Sequence, residues 1–158
     1  MTKTISKEQV DRVIRRHTMA STGVGLLPVP AADIAGLIAV QVNMIKDIAE
    51  LYEVPFLKDA AKKVVSTLIG GLLLTNAMPF LASMVKFIPV LGQAVGVAAM
   101  PLACGASTYA TGKVFVQHFE SGGTFLTFDP EKVKAHYAEM MKEGKTVVKN
   151  AKENDDEK

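Results

Sequence analysis

The chain has 158 residues, of which 49% are hydrophobic and 22% charged, with a formal net charge of +2 at pH 7. That length suits one domain with a real core. The small net charge argues against a nucleic-acid partner, and a single cysteine, Cys104, excludes an intrachain disulfide and fits a reducing compartment.

Ser6-Lys7-Glu8-Gln9 has the form of a capping box and opens a first helix. Val10, Val13, Ile14 and His17 follow at helical spacing, until Gly23 and Gly25 weaken the helix. Pro28 and Pro30 enforce a break. A second helix is expected from about Ala31 to Tyr52, with Ile34, Leu37, Ile38, Ile45 and Ile48 as its apolar stripe. Pro55 marks the next break. A third helix begins near Leu57, with Lys58, Asp59, Lys62 and Lys63 at its wet end, and continues to about Thr75.

From Val64 to Gly112 the chain carries one charged residue, Lys86. The run is long enough for two membrane-crossing helices with a turn at that lysine. It is also rich in Gly, Ala, Ser and Thr, which favour helices packed closely on one another. Within it, a boundary before Pro79 opens a short helix to Lys86. Pro89 then precedes a helix from about Leu91 to Phe119, which Pro101 should kink. Gly92 and Gly96 form a small-xxx-small face. Lysines flank the run at both ends, which places both ends on the cytosolic side. The first apolar stretch follows an amphipathic charged segment, so no signal peptide is expected.

Gly122 and Gly123 suit a helix C-terminus, and Thr124–Phe128 could form a short extended segment. Asp129 is a good N-cap with Pro130 at the first helical position. The last helix is expected from Pro130 to about Asn150, with Val133, Tyr137, Met140, Met141, Val147 and Val148 on its apolar face. No stretch shows the alternation of a sheet protein. The expected fold is all-α: five to six helices around a central apolar hairpin, one domain over residues 1–150. An acidic tail over 151–158 is set apart as disordered.

The residues exclude several chemistries. A phosphate loop ending at Gly112-Lys113 would need glycine at Ser107 and a hydroxyl at Val114. One ending at Gly144-Lys145-Thr146 would need glycine at Glu139. His17, His118 and His136 have no metal partner at helical spacing. No serine or cysteine stands in a nucleophile's setting. No enzyme activity, cofactor or metal is expected. The candidate membrane or helix-interface residues are Pro28, Pro30, Asp33, Leu72, Leu73, Lys86, Pro89, Gly92 and Gly96.

Three segments also carry a resemblance. Arg12–Phe56, Lys86–Gly96 and Ala110–Lys132, with "LLPVP", "AELYEVPF" and "QHFESGG" in that order, resemble the YcjF-type family of bacterial proteins of unknown function. The likeness covers roughly residues 9–137. It implies an apolar, membrane-associated helical domain. Such domains are frequently fused after, or encoded beside, a small Era-like GTPase. This chain contains no GTPase module, so a GTPase partner would act in trans. The resemblance supplies no catalytic residues.

The leading expectation is therefore a non-enzymatic helical adaptor or anchor on the cytoplasmic side of the inner membrane, contacting membrane lipid. The alternative is a cytoplasmic, self-assembling protein that buries its apolar hairpin between copies. A third reading, a small-molecule binder or enzyme, would use an apolar pocket near His17 or His118.

Overall fold

Local capping sets where the helices begin and end. In the computed structural model, which describes residues 5–26, 30–71 and 91–157 (the side chains of 30–33 and 91–99 excepted), helix α1 spans Lys7–Val24. Gln9 Oε1 accepts from the Ser6 amide at 3.4 Å, the return half of the capping box. Helix α2, Pro30–Leu51, starts on a proline, whose missing amide costs nothing there. It ends in a turn where Glu53 takes φ +56° and the Val54 amide donates to Ala49 O at 2.9 Å. Helix α3 covers residues 58–71.

Helix α4, Leu91–Glu120, is the longest of the described helices at 30 residues and contains Pro101. Gly122, at φ +80°, ends it, and the Gly123 amide donates to His118 O at 2.9 Å. Residues 124–128 are not extended, as the sequence suggested. They turn, with the Thr127 amide donating to Thr124 O at 3.2 Å, and the turn sends Phe125 and Phe128 inward together. Helix α5, Pro130–Asp156, is capped by Asp129, whose Oδ1 accepts from the Glu131 amide at 3.0 Å. It continues beyond Asn150 and so takes in residues 151–156, which the sequence reading had set apart as a tail.

The fold is all-α, with five helices and no strand among the described residues. Its centre is α4: α5 packs on it, and α1 and α2 pack on it and on each other. The chain directions follow from paired contacts. Arg16 meets Asp47 and Val24 meets Gly36, so α1 and α2 run antiparallel. Asp11 meets Lys113 and Gly25 meets Pro101, so α1 and α4 are antiparallel too. The expected sixth helix and the turn of the central hairpin lie outside the described residues.

The two halves of the bundle are packed differently. Toward the start of α1, the core is aromatic. Phe115 stacks on Phe128 at 4.5 Å between centroids, Phe125 meets Phe56 edge-on at 5.7 Å, and Phe119 joins Tyr52, Phe115 and Phe125. Toward the end of α1, the helices close on glycine instead. A β-carbon on Gly25 would lie 2.7 Å from Pro101 Cα, and one on Gly105 2.7 Å from Thr22 Cγ2. Ile14, Met44 and Gly112 meet at the boundary between the halves.

Candidate functional site

Charge divides the molecule at that same boundary. Residues 17–26 at the end of α1 and the turn after it, 34–45 of α2, 64–71 of α3 and 91–112 of α4 contain no Lys, Arg, Asp or Glu. On each helix the residue that bounds this stretch on the charged side is a cation: Arg16, Lys46, Lys63 and Lys113. Arg16 Nη2 donates to Asp47 Oδ2 at 2.6 Å, and Lys113 Nζ to Asp11 Oδ1 at 3.1 Å. These contacts set the cations of α1, α2 and α4 near one level of the bundle. At the far end of the neutral half α2 carries Asp33 in its first turn, and alongside that half α5 carries Lys145, Lys149, Lys152 and the acidic residues of its last turns.

Inside the neutral half, polarity is carried by uncharged groups that satisfy one another. Gln41 Nε2 donates to Ser107 Oγ at 3.0 Å and Thr108 Oγ1 at 3.2 Å, while Gln41 Oε1 accepts from Thr111 at 2.9 Å. Ser21 and Thr108 share a bond of 2.6 Å, and Ser107 and Tyr137 one of 2.9 Å. All six are buried. One polar layer thus ties α1, α2, α4 and α5 together. Burial pushes the Tyr137 phenol above its ordinary pKa, against the opposing pull of its bonds to Ser107 and Thr111. The Thr18 hydroxyl, just below Ser21 on α1, is buried with no partner.

On the outer surface of the neutral half, two α3 hydroxyls donate within their own helix. Ser66 and Thr67 are exposed on α3, yet their hydroxyls donate to Lys62 O and Lys63 O at 2.8 and 2.9 Å. Three large apolar side chains are exposed at its end: Leu26 at 64%, Ile34 at 43% and Met100 at 38%. Ile34, expected on the buried stripe of α2, is left out because the stripe's burial begins only at Leu37.

The charged half holds an open cleft of about 500 Å³, lined by Lys7, Asp11, Tyr52, Lys113, Glu120 and His136 among others. Its polar groups engage one another. Lys113 meets Asp11, and the Tyr52 hydroxyl donates to Glu120 at 2.8 Å, which together with burial holds that phenol protonated well past its ordinary range. Among the described residues no grouping of His, Cys, Asp and Glu could hold a metal ion.

The two histidines near which an apolar pocket was expected are engaged with backbone carbonyls. His17 Nδ1 lies 2.9 Å from Val13 O, one turn back on its own helix. His118 Nε2 lies 2.8 Å from Thr124 O, which can only accept, so that nitrogen carries the proton. The ring packs edge-on to Phe128 and pins the turn after α4. The two glycines weighed as phosphate-loop residues serve packing. Gly112 sits against Ile14 and Met44, and Gly144 against Ala106.

Of the candidate interface residues, Pro30 and Asp33 fall in the first turns of α2, and Gly92 and Gly96 in those of α4. Pro28, Leu72, Leu73, Lys86 and Pro89 lie outside the described residues. Sequence reasoning found Lys63 and Lys113 at the ends of the apolar run but missed the Gln41 layer and the matching positions of Arg16 and Lys46. The cations were legible, since they need only the positions of the last charges on each helix.

A helical bundle with one neutral and one charged half, and no assembled catalytic set among the described residues, is the class of protein this geometry defines. The chain belongs to the family described as Domain of unknown function (DUF697), whose model matches residues 1–146. It is similar to Magnetosome membrane protein 22 of Magnetospirillum gryphiswaldense, at 33% identity over 143 residues that cover 90% of this chain and 73% of the relative. No solved structure matches it.

Proposed function

We propose that this chain is a non-enzymatic helical anchor or adaptor, held at the cytoplasmic face of a bacterial inner membrane by the apolar segment between α3 and α4, whose one charge is Lys86. One observation carries this reading. Leu26, Ile34 and Met100 are exposed at the neutral end of the bundle, Leu26 and Met100 each adjoining the contact between Gly25 and Pro101. Large apolar side chains clustered at one end mark a surface that meets something other than water. The name of the magnetosome relative supports a membrane location. Lysines on both flanks of the segment support cytoplasmic ends.

The charged half then faces the cytosol and offers α1 and α5 to a protein partner. The resemblance to YcjF-type proteins supports a GTPase supplied in trans.

Vesicle flotation followed by a carbonate wash tests the anchor. The chain should float with lipid and survive the wash, and Leu72→Arg or Leu73→Arg should leave it at the bottom of the gradient. Flotation by those variants would remove lipid contact from that segment. A wild-type chain that never floats and runs as an oligomer of fixed mass would replace the anchor with self-assembly.

A further inference from the structure

We propose that the neutral stretches of α1, α2 and α3, bounded by Arg16, Lys46 and Lys63, together lie against the membrane surface, the bounding cations meeting anionic lipid phosphates. This rests on the membrane reading above and goes beyond it. It moves the contact from a linking segment onto the folded bundle.

The charge pattern carries the inference. Over the described neutral half, α1, α2 and α3 present Ala20, Ala35, Ala39, Asn43, Ser66 and Thr67 to the outside. The two α3 hydroxyls donate back to their own helix, which lowers the cost of taking them out of water. Beyond this surface lie the exposed Leu26 and Ile34. Where it ends, each helix turns cationic first: Arg16, Lys46 and Lys63, with Arg12, Arg15 and Lys62 close behind. Asp47 and Glu50 offset part of this charge by pairing with Arg16 and Lys46. An uncharged surface with a cationic edge is complementary to the boundary between acyl chains and anionic head groups.

The placement of α5 sets the orientation. It carries the charges alongside the neutral half, and it packs on α4. As the helix with the most charge there, α5 is the one the proposal leaves in water. No described helix is long and apolar enough to cross a membrane.

The test uses the full chain with Cys104→Ala and a single environment-sensitive fluorophore at Ala39→Cys, Thr67→Cys or, on α5, Lys134→Cys. All three positions are exposed. With vesicles containing phosphatidylglycerol, the labels at 39 and 67 should shift to the blue and the label at 134 should not. Lys46→Glu with Lys63→Glu should weaken binding to those vesicles about twenty-five-fold or more, on the basis of roughly fivefold per lysine lost near an anionic surface. Lys145→Glu with Lys149→Glu should leave it unchanged.

A chain that floats while the labels at 39 and 67 stay water-like, with the reversals neutral, overturns the contact by these stretches and leaves the anchor segment standing. A chain that does not float overturns both. Shielding of 39 and 67 without vesicles, at doubled mass, would assign these stretches to a second copy and overturn the lipid contact.

Discussion

Gly144 of α5 rests on the backbone of Ala106 in α4: a β-carbon on it would lie 2.9 Å from the Ala106 carbonyl oxygen and 3.1 Å from Tyr109 Cβ. Backbone cannot yield as a flexible side chain can, so Gly144→Val should push α5 off α4. The expected loss is about 1–3 kcal/mol in urea unfolding. Gly23 in α1 has nothing within 4 Å of its added β-carbon. Gly23→Ala should therefore gain up to about 1 kcal/mol from helix propensity alone. If both substitutions prove neutral, the close approach of α4 and α5 is not a determinant of stability.

The Gln41 layer makes a prediction of opposite signs. Gln41→Leu removes the donor to Ser107 and Thr108 and the acceptor for Thr111, all buried. Leaving those hydroxyls short of partners should cost about 2–4 kcal/mol. Thr18 is the reverse case, because its hydroxyl already lacks a partner. Thr18→Val keeps the shape and removes the unsatisfied group, so it should be neutral or stabilising by about 1 kcal/mol. Equilibrium unfolding of the two variants, each against wild type, checks both signs.

The same residues show what a sequence can and cannot reveal here. Helix starts at Ser6 and Asp129 were legible because capping is local: the donor and acceptor lie within three residues. The all-α class followed from the same local signals. Gln41 was not legible, because its partners Ser107 and Thr111 are 66 and 70 residues away. Periodicity put Ile34 on the apolar stripe of α2 but could not say where the neighbouring helices stop covering it. The end of α5 was missed for a related reason: composition marked residues 151–158 as acidic but carried no information on whether the helix would propagate through them. The neutral half was legible as an uncharged run in α4, but its extension onto α1 and α2 needed the antiparallel pairing to bring those stretches to one end.

The turn between α4 and α5 separates a core residue from a surface one within two positions. Phe125 is buried among Phe56, Phe115 and Phe119, whereas its neighbour Leu126 is 84% exposed. Phe125→Ala should cost about 3–5 kcal/mol. Leu126→Ser should stay within about 0.5 kcal/mol of wild type. Thermal unfolding monitored by circular dichroism distinguishes them. Equal losses would mean that the turn does not hold the two side chains as described.

All three tyrosines, Tyr52, Tyr109 and Tyr137, are held above their ordinary pKa. Burial is the largest cause in each. Glu120 adds to it at Tyr52, and Glu143 adds to it at Tyr109. A raised phenol pKa means that folding favours the neutral form. The stabilisation is therefore fully present below the unfolded value of about 10 and is lost as pH rises through the folded values. Stability should be insensitive to these groups up to about pH 9 and should fall in more alkaline solution. The chain has no tryptophan, so tyrosinate absorbance reads the titration directly. The native chain should ionise later than urea-unfolded chain, in a step that coincides with loss of helix. Tyr109→Phe, which removes the phenol bonded to Glu143, should weaken the pH dependence by removing one of the contributing groups. Free ionisation of all three near pH 10 with the helices intact would show that the phenols are not enclosed between the helices.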